Sequence, residues 1–295
     1  MSDAVIEVRS LRHNYGARTI YEDLNFTVPR GKVVALLGKN GVGKTTLLNI
    51  LMGFLRPAGG ECRVLGDPSH ALSTATRRKV GLLFEGHLAY EFMTIREIER
   101  FYAAFYPNWR RDMYDALVER LCLPDSHVIA RMSEGQRSQV ALGLLMAQQP
   151  ELLILDDYSM GLDAGYRRLF LDMMAEYLGS GERTVFLTSH VIQDMERLAD
   201  EIIFLERGGS IRSFQLKEFL CAFNRYRLPK SNGRAPHPDG MIKNVEEHAR
   251  HWELFAFSDP ADTARLLESQ EVVVKDMQQL PMSLEDAFIG YTGRY

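Results

Sequence analysis

The stretch GKNGVGKTT, from Gly38 to Thr46, combines residue types and a spacing that point to phosphate chemistry. Gly38, Gly43, Lys44 and Thr45 meet the pattern G-x-x-x-x-G-K-[ST]. Its glycines let backbone N–H groups turn inward onto a polyphosphate, while the helix that follows adds partial positive charge. In that reading Asn40, Gly41 and Thr46 complete the cradle. Lys44 reaches the terminal phosphates, and the Thr45 hydroxyl meets a Mg²⁺ ion. A second group of polar residues is spread along the chain: Asp156 and Asp157 after the apolar run Leu152–Leu155, His190 after TVFLTS, and Glu85 after VGLLF. An acidic residue at a strand end beside a phosphate cradle is the expected Mg²⁺ anchor, which selects Asp156; Glu85 is a further metal or water contact. His190 either satisfies its neighbours or acts at the site, since it falls on the same sheet edge as Asp156.

These residues need elements to hold them. The loop lies between the apolar run Val33–Leu37 and the helix formers Leu47, Leu48, Ile50 and Leu51, so strand, loop and helix follow in order. Val80–Phe84, Leu152–Leu155, Thr184–Thr188 and Glu201–Leu205 are short apolar runs of the buried parallel-strand kind, and open α/β sheets bind ligands at the carboxyl ends of such strands. Ahead of the loop, Val5, Ile6 and Val8, then Leu24, Phe26 and Val28, predict strands of an N-terminal sheet. Tyr15, beside Gly16, is either a half-buried strand tyrosine or an aromatic that stacks on a purine base.

Between residues 90 and 150 the pattern is helical. Thr94 caps a helix through Ile98, Phe101 and Phe105, a second helix covers Asp112–Leu121, and the stripe through Tyr106 and Trp109 serves a core or a partner groove. Ser133 with Gln136 makes a capping box for the helix that follows. Gly135 is a poor residue for that first turn, and a ligand approaching the helix N–H groups would account for it.

The 295 residues are 46% hydrophobic, enough for a full globular core, and the formal charge of −4 gives no bulk attraction to nucleic acid, which is not an expected partner. No apolar run has the length of a membrane span, and the first residues lack the pattern of a signal peptide, so an intracellular protein is expected. Cys62, Cys122 and Cys221 have no ligand or redox spacing and read as reduced thiols. Beyond Leu228 the segment PKSNGRAPHPDG reads as a linker or long loop, followed by a strand at Trp252–Phe257, a helix begun by Asp259 and Pro260, a strand at Val272–Val274 and a last helix capped by Ser283. His248 and His251 read as surface residues rather than metal ligands.

Taken together, residues 1–215 resemble the nucleotide-binding subunit of an ABC transporter. Gly38–Thr45 looks like the Walker A loop, MSEGQ at Met132–Gln136 like the LSGGQ signature, Leu152–Asp156 like Walker B, and Gly161, Leu162 and Asp163 like the D-loop. Tyr15, Glu85 and His190 fall at the family's adenine-stacking, Q-loop and switch positions. The resemblance implies an α/β P-loop fold with a mostly parallel sheet, an N-terminal antiparallel β subdomain, a helical insert at about 90–150 and a small α+β appendage at 216–295. It also implies ATP and Mg²⁺ as ligands and a homodimer or heterodimer in which Ser133, Gly135 and Gln136 of one chain close on the nucleotide of the other. A separate membrane permease, gripped by the insert, would hold the subunit at the inner face of the cell membrane. The ending SLEDAFIGYTG is similar to tails of exporter-type subunits.

Three departures accompany the resemblance. Asp157 stands where the family carries a catalytic Glu, Tyr158 where Pro is usual, and Glu85 where the Q-loop has Gln. Glu134 also replaces a signature glycine. Asp157 keeps the charge but retracts the carboxylate by one methylene, so slow hydrolysis is expected. Two other readings stand beside a transport ATPase. One is a weakly hydrolytic, ATP-switched interaction module; the other is a soluble ABC protein of DNA repair or translation, which would usually carry long coiled coils or paired cassettes.

Overall fold

The computed structural model describes residues 3–84, 90–157, 163–179, 183–189, 191–231 and 233–293. The first strands, β1 (Ala4–Tyr15) and β2 (Arg18–Pro29), form a long antiparallel hairpin, and alternate apolar residues such as Ile6, Val8, Leu24, Phe26 and Val28 are buried on one face. After β3 (Val33–Leu37) and helix α1 (Lys44–Leu51), strands β4 (Gly59–Val64) and β5 (Asp67–Pro68) complete that sheet in the order β2-β1-β4-β5. Helix α2 (Thr74–Lys79), capped by Ser73, leads into β6 (Val80–Leu83).

The helical insert contains α3 (Ile95–Ala103), α4 (Arg111–Val118) and α5 (Glu134–Ala147). Thr94 and Glu97 form a complete capping box on α3, which satisfies backbone donors that the first helical turn leaves unpaired. Its core joins Ile95, Ile98, Tyr114 and Ile129 to Val140 and Leu144 of α5. Trp109 and Tyr106 are half-buried, and the Trp109 indole donates to the buried carboxylate of Glu99 at 2.9 Å.

Strand β7 (Leu152–Leu155), helix α6 (Ala164–Leu178), β8 (Thr184–Leu187), α7 (Ile192–Leu198), β9 (Glu201–Leu205) and β10 (Ile211–Gln215) follow. A six-stranded sheet results, in the order β10-β9-β3-β8-β7-β6, and its pairs from β9 to β6 are parallel. The central strands are buried along their whole length, as strands covered on both faces must be. This order puts the carboxyl ends of β3, β8 and β7 side by side on one edge.

By compactness the chain divides into one unit of Met1–Val191 with Glu201–Ser213 and a second of Ile192–Asp200 with Phe214–Tyr295, so the second unit draws α7 from inside the range 1–215. Beyond α7, it comprises α8 (Leu216–Ala222), β11 (Asn224–Pro229), β12 (Ile242–Glu247), β13 (His251–Ala256), α9 (Pro260–Ser269), β14 (Gln278–Leu280) and α10 (Leu284–Thr292). Its antiparallel sheet runs β12-β13-β11-β14. The segment at Val272–Val274, expected as a strand, is not one. The Val272 N–H bonds back to the Leu267 carbonyl and its side chain joins the core beside Leu267, while the strand that flanks β11 on the side away from β13 is β14, six residues later.

Candidate functional site

The phosphate-loop residues fold as their sequence requires. Strand β3 ends at Leu37, the loop turns from Gly38, and α1 starts at Lys44 with Gly43 as its N-cap at φ 114°. A side chain at Gly43 would be strained by that φ, and its Cβ would lie 2.6 Å from the Tyr21 hydroxyl oxygen and 2.7 Å from the Ile20 side chain. Tyr21 in turn donates its buried hydroxyl to the Gly43 carbonyl, and Arg18 donates to the Gly41 carbonyl at 2.8 Å. Two residues of β2 thus hold the rim and floor of the loop.

Lys44 bends back over this loop and donates to the carbonyls of Gly38 at 2.7 Å and Lys39 at 3.3 Å. Burial pushes its ammonium group below the usual lysine range, against the opposing influence of the Asp156 and Asp157 carboxylates. Both aspartates are buried, directly beyond β7. The Asp156 amide donates to the Leu83 carbonyl, and its carboxylate accepts the Thr188 hydroxyl at 2.7 Å. The same Thr188 oxygen accepts the Asp157 N–H at 3.1 Å, which fixes the turn between the two acids. Asp157 has φ 47°, in the left-handed region that aspartate tolerates better than most residues.

A cavity of about 280 Å³ brings these groups together. Asn40, Gly41, Gly43, Lys44, Thr45 and Thr46 line one wall, Asp156 and Asp157 another, and Tyr15 with Arg18 the mouth. Tyr15 closes β1 with 51% of its surface exposed and rests edge-on against His13 at 4.8 Å between centroids. Tyr15 is thus an exposed strand residue, not a half-buried one, and its ring is among the groups that line the cavity. Gly38 is half-buried under the loop, where an added Cβ would meet the Leu205 carbonyl at 2.7 Å.

Ser133, Gly135 and Gln136 are not among the residues lining this cavity. They form the start of α5, where the Ser133 hydroxyl accepts the Gln136 N–H and the Gln136 side chain accepts the Ser133 N–H at 2.9 Å. Ser133 and Glu134 are exposed and Gly135 is buried. Gly135 also has a packing reason, beside the ligand approach expected from sequence: its Cβ would lie 2.5 Å from the Tyr166 ring of α6. Glu85 and His190, together with Tyr158, Gly161 and Leu162, lie outside the described residues.

Sequence reasoning missed Arg18, Tyr21 and Thr188. Arg18 is paired with Tyr15 across the β1–β2 turn, which only the hairpin register reveals. Thr188 had a detectable signal, a hydroxyl at the end of an apolar strand. Its place between the loop and Asp156 follows from β8 lying between β3 and β7, which chain order alone does not give.

The donor set can be tested for the ligands it suits. Glycines crowded so closely that a Cβ would clash leave the loop amides open to a polyphosphate, and Lys44 stands over them. The Asp156 carboxylate and the Thr45 hydroxyl offer oxygen ligands only, the kind Mg²⁺ prefers.

Comparisons with known proteins agree with this geometry. Residues 21–159 match the ABC transporter family. The chain is 29% identical over 301 residues to a protein of Rhizobium meliloti (strain 1021) called Nod factor export ATP-binding protein I, covering 98% of this chain and 88% of that one. A solved structure described as the ATP binding subunit of an ABC transporter is 27% identical, with a TM-score of 0.65 over 73% of this chain and 91% of that one. The structure of cbiO1 from Clostridium perfringens, part of the ABC transporter complex cbiONQ, shares the fold at 23% identity, with a TM-score of 0.61 over 75% of this chain and 92% of that one.

Proposed function

The chain is an ABC transporter ATP-binding subunit, a class of ATPase, and from that premise we propose that the cavity beside Lys44 binds and hydrolyses MgATP to drive a separate membrane permease. The observation that carries this reading is the meeting of the glycine loop, Lys44, Asp156 and Asp157 on one sheet edge beneath an exposed aromatic. In it the loop amides and Lys44 hold the phosphates, Tyr15 stacks on the base, and Asp156 with Thr45 holds Mg²⁺, which offsets phosphate charge when bound. Thr188 keeps the Asp156 carboxylate aimed by donating to one of its oxygens. Asp157 accepts a proton from the attacking water, with His190 and Glu85 assigned to the same reaction from sequence alone.

The exposed start of α5 favours closure onto the nucleotide of a second subunit, identical or not, with Ser133, Gly135 and Gln136 at the contact. The insert presents Tyr90, Phe92 and Phe105 to solvent around Phe101, and Phe92 is 74% exposed. Exposed aromatic clusters of this kind mark protein interfaces, and this one is assigned to the permease. No helix among the described residues is long and apolar enough to cross a membrane. Attachment to the inner face of the cell membrane is assigned to that permease partner. The names of relatives such as the Rhizobium protein favour export as the direction.

One observation favours a second reading, an ATP-switched module with little turnover: the shortened acid Asp157 sits on a left-handed backbone. Lys44→Ala tests the site under either reading. It removes the main charge facing the phosphates, so calorimetry on the folded variant is expected to detect no MgATP binding. Unchanged affinity overturns the assignment of the cavity.

A further inference from the structure

The hairpin of β12 and β13 carries a cluster that the nucleotide chemistry does not use. Its turn is tight: the His248 N–H bonds to the His251 carbonyl at 3.0 Å, which leaves Ala249 and Arg250 as the two turn residues. Side chains on a strand alternate between faces, so His248 and His251 share a face with the residues two positions away, Glu246 and Glu253, which are directly paired across the hairpin. The result is two imidazoles above two carboxylates.

The distances are close to those of a coordination site. The imidazole rings lie parallel, 9° apart in plane and 4.6 Å between centroids. His251 Nε2 is 3.4 Å from one Glu253 oxygen, His248 Nε2 is 3.9 Å from the other, and one ligand atom from each of the three residues lies within 4.8 Å of the rest. A tetrahedral Zn²⁺ with bonds of about 2.0–2.2 Å holds neighbouring ligand atoms roughly 3.3–3.5 Å apart, so side-chain movements on the order of 1 Å close the set. Both carboxylates are buried, Glu253 at 4% exposure and Glu246 at 8%, and like charges placed opposite one another in a sheet repel. Arg225 answers part of that charge by donating to Glu253 Oε2 at 2.6 and 3.0 Å. This fork orients the carboxylate and leaves Oε1 directed at His251, with Arg227, 3.7 Å away and 45% exposed at its side chain, able to swing clear.

We propose that His248, His251 and Glu253 form a site for a divalent transition-metal cation of the Zn²⁺ class, which clips the β12–β13 hairpin, with Glu246 as the second carboxylate beside it. Two imidazoles and one carboxylate select Zn²⁺ and its first-row neighbours over Mg²⁺, which separates this site from the oxygen-only set at Asp156. The separation in sequence, H-x-x-H-x-E, gives no helical metal motif; the ligands meet only because the hairpin register aligns them. The expectation that the two histidines are mere surface residues is revised accordingly.

The test is calorimetric titration of the metal-stripped full chain with Zn²⁺ in excess Mg²⁺, which keeps oxygen-only sites filled, on the wild type and on His248→Gln and His251→Gln. One equivalent of Zn²⁺ is expected to bind, with affinity weakened at least about tenfold in each variant. MgATP binding and the circular dichroism of both variants are expected to match the wild type, which excludes general misfolding. An absence of saturable Zn²⁺ binding overturns the proposal. So does binding that survives undiminished in both variants, which would move the ion to thiols such as the exposed Cys122 and Cys221.

Discussion

Asp157 sits on a constrained backbone. A left-handed φ of 47° costs an ordinary residue on the order of 1–2 kcal/mol, and Asp and Asn bear it best because their short side chains bond locally. Two substitutions therefore separate charge from reach. Asp157→Asn keeps the backbone preference and removes the charged acceptor, so steady-state ATPase is expected to fall while an ATP-bound dimer persists long enough to be seen by light scattering. Asp157→Glu extends the carboxylate toward the family geometry and is expected to raise turnover by up to about a hundredfold, less what the longer residue loses at that φ. If Asn leaves the rate untouched and Glu gives no gain, Asp157 does not position the water. At the mouth of the cavity, Tyr15→Ala is expected to weaken ATP by about 1–3 kcal/mol while Tyr15→Trp retains it, as stacking on any purine requires. Equal losses in both variants would make Tyr15 a support for His13 and the hairpin end.

Among the elements, α5 shows how one glycine can have two explanations. Alanine normally favours a helix over glycine by about 1 kcal/mol. At Gly135 the added Cβ would meet the Tyr166 ring, and overpacking costs about 1–3 kcal/mol. Gly135→Ala is thus expected to lower thermal stability, and Tyr166→Leu in the same chain to restore most of it. A double-mutant cycle with no coupling would return the glycine to its ligand-approach explanation. The same element marks what a single sequence discloses. Its capping box, the buried runs of β3, β7, β8 and β9, and the glycine loop were legible because each is a local pattern. Local patterns do not carry strand order, so they do not single out Thr188 and Arg18, and β4 has no strand pattern at its start because it opens on two glycines, Gly59 and Gly60. Val272 was misassigned because an apolar β-branched run fits a core turn after a helix as well as a strand, and only the pairing of β11 with β14 decides.

Over the whole molecule, ligand binding and stability are linked. MgATP at about 100 times its dissociation constant adds about 2.7 kcal/mol to the unit that binds it. At roughly 2–4 °C per kcal/mol for a unit of this size, the transition that carries the Lys44 site is expected to rise by about 5–10 °C in a thermal melt, and Lys44→Ala to abolish the rise. An equal rise in the Lys44 variant would place the nucleotide elsewhere. The second unit has a different dependence, on the order in which its parts are made. Helix α7 packs against α10, where Glu196 accepts the Leu284 N–H at 2.9 Å and so helps satisfy the start of the last helix. On the ribosome α7 emerges with β8 and β9, yet its partner is still to be translated. At about 5–20 residues per second the stretch from Leu198 to Leu284 takes on the order of ten seconds to synthesise, and for that interval α7 stands without α10. A premature stop anywhere before Ser283 therefore strips a contact from a helix encoded some ninety codons upstream.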